Sequence, residues 1–299
     1  MAEKKHFDMA FIGHYTKDTI ITKAGTRLVD GGAYFYGACA SRRMGLATAA
    51  VTRLAREDFK SFAPLEALGA TVRAIPSEKS TCLTLDYPTD NPDDRILSVA
   101  SQASPFQAED IEGIDASVWS VGASIRGEVC LEVVKAIKAT GAKVGVDAQG
   151  YVRIVKDGSI AYQGDWPAKS ALLGACDVFK ADVVEAELLT GHRDLKAAAK
   201  VLLKHGDMEL VLTHGEGAVI WAEGRFFEAP FTPKSLVGRS GRGDTCLASY
   251  LAARFVLGMG PLDATFWAAA LTSLKMEAVG PFSGTNDDVR RALKERYGR

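Results

Sequence analysis

Short apolar runs of strand length alternate with helical patterns along this chain, joined by brief connections. That alternation restricts it to a mostly parallel sheet with helices on both faces, a Rossmann-like α/β class. Residues 6–13 read as the first strand, 33–44 as a helix stopped by Gly45, and 47–52 as the next strand. The rhythm returns with a strand at 118–121, a helix at 129–140 stopped by Gly141, and a strand at 143–147 ending on Asp147. A helix at 195–205 stops at Gly206, and a strand at 209–213 ends on Thr213. Open sheets of this kind bind ligands at the carboxyl ends of their strands. Asp147 and Thr213 are therefore candidate site residues, with an ordinary turn or helix cap as the plainer alternative.

Two regions break the rhythm. Residues 19–29 form a pair of short alternating segments around 23–25, and the β-rich segments 81–87 and 95–100 flank a turn-forming stretch at 88–94, which reads as a hairpin. Together they predict one α/β domain over 1–299 with a small β-sheet lid built from segments of about 14–32 and 71–102. An edge extension of the main sheet is the alternative.

The 299 residues are 47% hydrophobic, enough to bury a large core. Lys and Arg number 36 against 37 Asp and Glu, a net charge of -1 with no long run of either sign, which does not support a nucleic-acid or membrane-surface role. The charged start and the short apolar stretch after it lack the form of a signal peptide, and no apolar run has bilayer length. Five cysteines, Cys39, Cys82, Cys130, Cys176 and Cys246, stand singly without disulfide or metal spacing. A reducing cytoplasm is the expected compartment.

The stretch richest in chemistry is Ser240-Gly241-Arg242-Gly243-Asp244-Thr245, which precedes an apolar helical run at 246–257. Glycines just before a helix let backbone N–H groups approach an anion, and the helix dipole favours negative charge there. A carboxylate beside bound phosphate is repelled unless it has a task. The task that fits Asp244 is to take the proton of an attacking hydroxyl while neighbouring amides hold the phosphoryl group. Arg242 can add positive charge against the transition state. Taken alone, the motif also reads as a glycine loop with Asp244 as a plain cap. Gly31-Gly32 forms a second glycine pair at the start of the first long helix, where a simple turn is the alternative. Asp18 follows the first strand and can accept hydrogen bonds from substrate hydroxyls, or remain a solvated loop acid.

These residues resemble the ribokinase, or PfkB, family of small-molecule kinases over nearly the whole chain. Gly31-Gly32 through Arg43-Met44-Gly45-Leu46, continuing over 51–59, is similar to the first family signature, and Gly241-Arg242-Gly243-Asp244-Thr245 to the second. Between them, residues 177–191 resemble the segment that handles metal and phosphate. The resemblance implies ATP as donor, Mg²⁺, Asp244 as base and Gly241 to Gly243 as anion hole. It also implies that Glu185 organises Mg²⁺ through water, and that Lys180, Thr213, Gly215 and Gly217 border the nucleotide. Asp182 stands where the family usually has Asn, and its spacing of three from Glu185 pairs two carboxylates that can contact the metal more directly. The family often has Asp at Gly238 and a small residue at Arg242, so the resemblance does not carry a monovalent-cation site. Arg242 is expected to supply some of the missing electrostatics.

Gly13-His14-Tyr15 leading to Asp18, and Asp147-Ala148-Gln149-Gly150 leading to Arg153, look most like inositol kinases. Asp18, Gly31, Gly32, Asp147 and Arg153 are accordingly expected to bind a cyclitol or sugar. A nucleoside stacked on Tyr34, Phe35 or Tyr36 is the runner-up acceptor. A non-catalytic binding protein on a kinase fold is a third reading. Exposed lid edges would suit a homodimer.

Overall fold

The computed structural model describes residues 5–89 and 96–299, and in it the strands fall into two sheets. In chain order they are β1 His6–Ile12, β2 Thr16–Thr22, β3 Gly25–Gly31, β4 Thr48–Ala55, β5 Thr71–Ser77, β6 Thr81–Asp86, β7 Ile96–Ser101 and β8 Asp115–Val121. They continue with β9 Lys143–Asp147, β10 Arg153–Lys156, β11 Ser159–Tyr162, β12 Val178–Asp182, β13 Glu209–His214, β14 Gly217–Ala222 and β15 Arg225–Pro230. The larger sheet has the order β15-β14-β13-β12-β9-β8-β1-β4-β5. It is parallel from β13 to β5, with β14 and β15 added antiparallel at one edge.

The inner strands are apolar on both faces because helices cover both. Along β1, Met9 and Phe11 face one core while Ala10 and Ile12 face the other, as a period of two requires, and Phe7 at the start of the strand departs from it by packing with the second core. The helices Ala33–Arg43, Arg242–Leu251 and Pro261–Met276 contribute Ala38, Cys246, Leu251 and Leu271 to the first core. Leu131–Ala139, Lys169–Ala175, Val183–Thr190 and Leu195–Leu202 contribute Val133, Leu172, Ala186 and Ala198 to the second. Gly145 on β9 lets the Arg242 helix lie close, since a Cβ there would come within 2.5 Å of Leu251 Cδ1. Among the described residues no helix is long and apolar enough to cross a membrane.

The smaller sheet runs β10-β11-β7-β6-β2-β3 and differs from the expected outline in two ways. Residues 71–77, placed with the second sheet in the sequence reading, are instead the parallel edge strand beside β4, paired from Ala49 with Thr71 to Ala55 with Ser77. The hairpin of β10 and β11 was not foreseen. Its four-residue strands are too short to show a period, and they join the second sheet through Ser159 beside Ser98. Part of the expected 88–94 turn lies outside the described residues. The helix expected to reach 257 ends at Leu251 and widens into one π-type turn, in which Leu257 N donates to Ala252 O at 2.9 Å.

Where the chain crosses from the larger sheet to the smaller, one buried carboxylate joins the strand ends. Glu128 accepts from His14 N at 2.6 Å and from Ser124 N at 2.8 Å, and His14 Nδ1 lies 2.9 Å from Thr81 Oγ1 on β6. Removal from water holds His14 below the usual histidine range despite Glu128. Glu128→Ala would leave two buried N–H groups without acceptors, a loss of about 2–5 kcal/mol. Urea unfolding should report that drop, whereas a change below about 1 kcal/mol would mean that water replaces the carboxylate.

Candidate functional site

At the carboxyl ends of β9 and β12, Asp147 and Lys180 are direct cross-strand neighbours, and two residues further on Asp182 pairs with Thr213 of β13. The Lys180 ammonium is buried, 4% exposed, and donates to Asp147 Oδ1 at 3.2 Å. It also lies 3.1 Å from Asp147 Oδ2 and 3.6 Å from Glu185 Oε2. Burial alone would lower this lysine, but Asp147, Glu185, Asp182 and Asp244 outweigh it and hold the ammonium charged above its ordinary range. Burial pushes Glu185 up to about 7 against the pull of Lys180, with Asp182 and Asp147 adding to the rise.

The N-terminus of the helix Arg242–Leu251 closes over this cluster. Gly241 caps it with φ 75°, a left-handed conformation that favours glycine, and a Cβ there would come within 2.1 Å of the Tyr36 ring. A Cβ on Gly243 would lie 2.7 Å from Lys180 Nζ, so the loop backbone rests directly on the buried cation. Asp244 stands half-buried in the first turn. Removal from water and the Asp147 carboxylate push it up to about 6, while Lys180, Arg153 and Lys275 pull it down. Asp147 and Asp244 share the wall of a small cavity with Ala33, Tyr34, Ser120 and Leu247.

On the other side, Gly32 turns the chain with φ 112° where a Cβ would meet His14 O at 2.3 Å. A Cβ on Gly31 would sit 3.7 Å from the Tyr36 ring and 3.8 Å from Asp18 Oδ2. Tyr36 lies in the field of both Asp244 and Asp18, which add to burial in pushing its hydroxyl up to about 12. Asp18 and Gly31 therefore gather around Tyr36, next to the Gly241 loop.

Asp182 and Glu185 do not present a shared carboxylate face. Asp182 caps the helix Val183–Thr190, with Oδ1 accepting from Val184 N and Glu185 N at 2.9 Å each, and Glu185 Oε2 accepts from Asp182 N at 2.8 Å. A spacing of three at a helix start is a capping box before it is a metal pair. Among the described residues, no three or more His, Cys, Asp and Glu side chains are arranged to hold a metal ion. The oxygens left by these bonds fit an ion such as Mg²⁺ that keeps water and phosphate in most of its shell.

Residues 9–287 match the family model described as pfkB family carbohydrate kinase. The chain belongs to this family. It is accordingly a phosphotransferase with a hydroxyl acceptor. The cytidine kinase of Thermococcus kodakarensis is 26% identical over 261 residues, 82% of this chain and 87% of that protein. A pyrophosphate-dependent myo-inositol-1 kinase, substituted to become a myo-inositol-3 kinase, superposes with TM-score 0.87 at 31% identity, covering 97% of this chain and 99% of that one. A sulfate complex of a pyrophosphate-dependent kinase in the ribokinase family gives TM-score 0.88 at 33% identity, covering 94% and 99%. The Arabidopsis thaliana ribokinase complexed with ribose and ATP, at 18% identity and TM-score 0.77 over 97% and 99%, shares the ribokinase fold.

The kinase thus brings Asp147, Lys180, Asp182, Glu185 and the 241–244 loop into one cluster, within the field of Arg153. Thr213 is buried beside Asp182. Gly215 is at the tip of the β13–β14 turn, and Gly217 is a packing glycine whose Cβ would strike Ala229 O at 2.6 Å. Sequence reasoning passed over Lys275, buried under the loop. Its only signal was a lone cation on a helix that is mostly apolar. Lys180→Met should destabilise the fold by about 3–5 kcal/mol, because it strands Asp147 and Glu185 without their counter-charge. Denaturant unfolding checks this, and an unchanged midpoint would remove Lys180 from its organising role.

Proposed function

We propose that this kinase transfers a phosphoryl group to a hydroxyl of a cyclitol or similar polyol, with Asp244 as the base. The supporting observation is the placement of Asp244 in the first turn of the Arg242–Leu251 helix, among its N-terminal amides and above the Lys180 cluster. Amides at Gly241 and Gly243 grip the moving phosphoryl group, joined by that of Arg242 if it leaves Arg239 O, to which it donates at 3.2 Å, and the helix dipole stabilises the charge. Asp18 and Arg153 orient the acceptor, and the smaller sheet acts as the lid that keeps water out. Thr213, Gly215 and Gly217 border the donor. Bound on the side of Glu185 and Asp182, Mg²⁺ supplies neutralising charge to the donor.

Likeness over nearly the full chain to pyrophosphate-dependent kinases, one of them complexed with myo-inositol at 31% identity, supports a cyclitol acceptor. The cytidine kinase likeness points instead to a nucleoside. Against it, Tyr34 is buried and the Tyr36 ring is covered by Gly241, so neither offers an open face for a base.

For the donor, ATP follows from the family and pyrophosphate from these similar structures. Two features of the chain favour pyrophosphate. Arg242 inside the loop and Arg239 just before it bring positive charge to this stretch, which suits an anionic donor. The cleft behind the loop is lined by Lys234, Glu277, Phe282, Arg291 and Arg296 and is spanned by the Glu277–Arg296 ion pair at 2.6 Å, a poor slot for a purine.

Turnover with pyrophosphate and with ATP, each against inositols, sugars and nucleosides, tests both choices. Nucleosides outperforming inositols would reverse the acceptor, and ATP alone supporting turnover would reverse the donor. Asp244→Asn should leave the fold intact and lower kcat by roughly 10²–10⁴-fold. Because Asp244 accepts a proton only when ionised, kcat/KM should fall as pH drops through about 6. Asp147→Asn removes a negative neighbour, so the acid limb should move to lower pH. A limb that stays put or rises would contradict the assigned coupling.

A further inference from the structure

The ammonium of Lys275 is 1% exposed at the end of the helix Pro261–Met276, a helix whose other buried residues are apolar, small or hydroxylic. It donates to Gly238 O at 2.8 Å and to Ser240 O, and it lies 5.5 Å from the centroid of the Tyr36 ring. Burial lowers this lysine to about 8, with Asp244 opposing the drop and Arg242 adding to it. Both carbonyls it binds belong to the loop that enters the Gly241 cap. The next residue of the same helix pins the loop as well, since Val237 N and Gly238 N both donate to Met276 O at 3.0 Å. Gly238 has no room for a side chain, since its Cβ would come within 1.9 Å of Ala278 O.

A trans peptide points its N–H opposite to its C=O. With the Ser240 carbonyl drawn to Lys275, the Gly241 N–H must face away from it, and the Gly238 carbonyl fixes the Arg239 N–H in the same manner. Two carbonyls converging on one buried point form a cation site by their own dipoles, and here that point holds the chain's own ammonium. We propose that Lys275 is a positioning residue: a tethered cation that fixes the peptide planes entering the Gly241 cap, so that the Gly241 amide is aimed at the phosphoryl group, and makes a free monovalent cation unnecessary. The proposal rests on the phosphoryl-transfer reading of this loop.

The test compares wild type with Lys275→Met and Lys275→Gln in potassium, ammonium or tetramethylammonium chloride at equal ionic strength. Wild-type turnover and melting temperature should be the same in all three salts. Lys275→Met should lose about 10²-fold in kcat, as removal of one aimed donor does, with acceptor KM little changed. Ammonium or potassium, but not the bulky tetramethylammonium, should restore at least about a tenth of that loss. The same two ions should raise the melting temperature of the variants alone. A several-fold rise of wild-type turnover with potassium would overturn the proposal, as would folded variants that keep full turnover or recover in no cation. Wild type lacking turnover with every donor and acceptor would instead sink the phosphoryl-transfer reading, and the cation-specific melting shift of the variants would still decide the role of Lys275. If neither variant folds, the salt response of the wild type decides.

Discussion

One buried ammonium organises the centre of this kinase. Lys180 sits at the carboxyl end of a parallel strand among Asp147, Glu185, Asp182 and Asp244, with Asp147 and Glu185 buried beside it. Four carboxylates so close would otherwise repel each other and take up protons. The cation lets Asp147 stay buried beside a second acid, yet removal from water, with the neighbouring carboxylates adding to it, still lifts Asp244 to about 6 and Glu185 to about 7. In the base role proposed for Asp244, such a carboxyl would be ionised at neutral pH and still able to take a proton. The same cation supports the glycine loop from below, because Gly243 leaves no space above it for a side chain.

The loop is therefore set by contacts on every side rather than by its own preference. Tyr36 bars any side chain at Gly241, Ala278 bars one at Gly238, and Lys275 and Met276 hold its carbonyls and amides from behind. Preorganised amides need no rearrangement when charge develops on the transferring group, which is the condition under which such donors contribute most. The two sheets meet near this loop, with Gly31, Gly32 and Asp18 approaching from the smaller one. That gives an acceptor a way to span both.

Much of this was legible in the amino-acid order, because period and punctuation are local properties. The strand ending on Asp147, the strand ending near Thr213, the Ala33–Arg43 helix and the Gly241–Asp244 cap all follow from spacing and glycine placement. What escaped depends on tertiary partners. β5 carries a half-buried pattern that suits either sheet, and only its pairing with β4 decides the matter. β10 and β11 are too short to show a period. Asp182 and Glu185 have the spacing of a metal pair and of a capping box alike, and the hydrogen bonds of the helix start show that they form the second. Lys275 was invisible because a lysine in an apolar helix signals nothing until the carbonyls it meets are known.

The central claim is that a carboxylate at 244 faces the acceptor oxygen while the 241–243 amides hold the phosphoryl group. A crystal structure with myo-inositol, Mg²⁺ and a planar phosphoryl mimic such as aluminium fluoride tests it most directly. An Asp244 oxygen should lie about 2.6–3.2 Å from the attacking hydroxyl, with the loop amides on the mimic. Asp244 turned away, with another side chain at that oxygen, would contradict it.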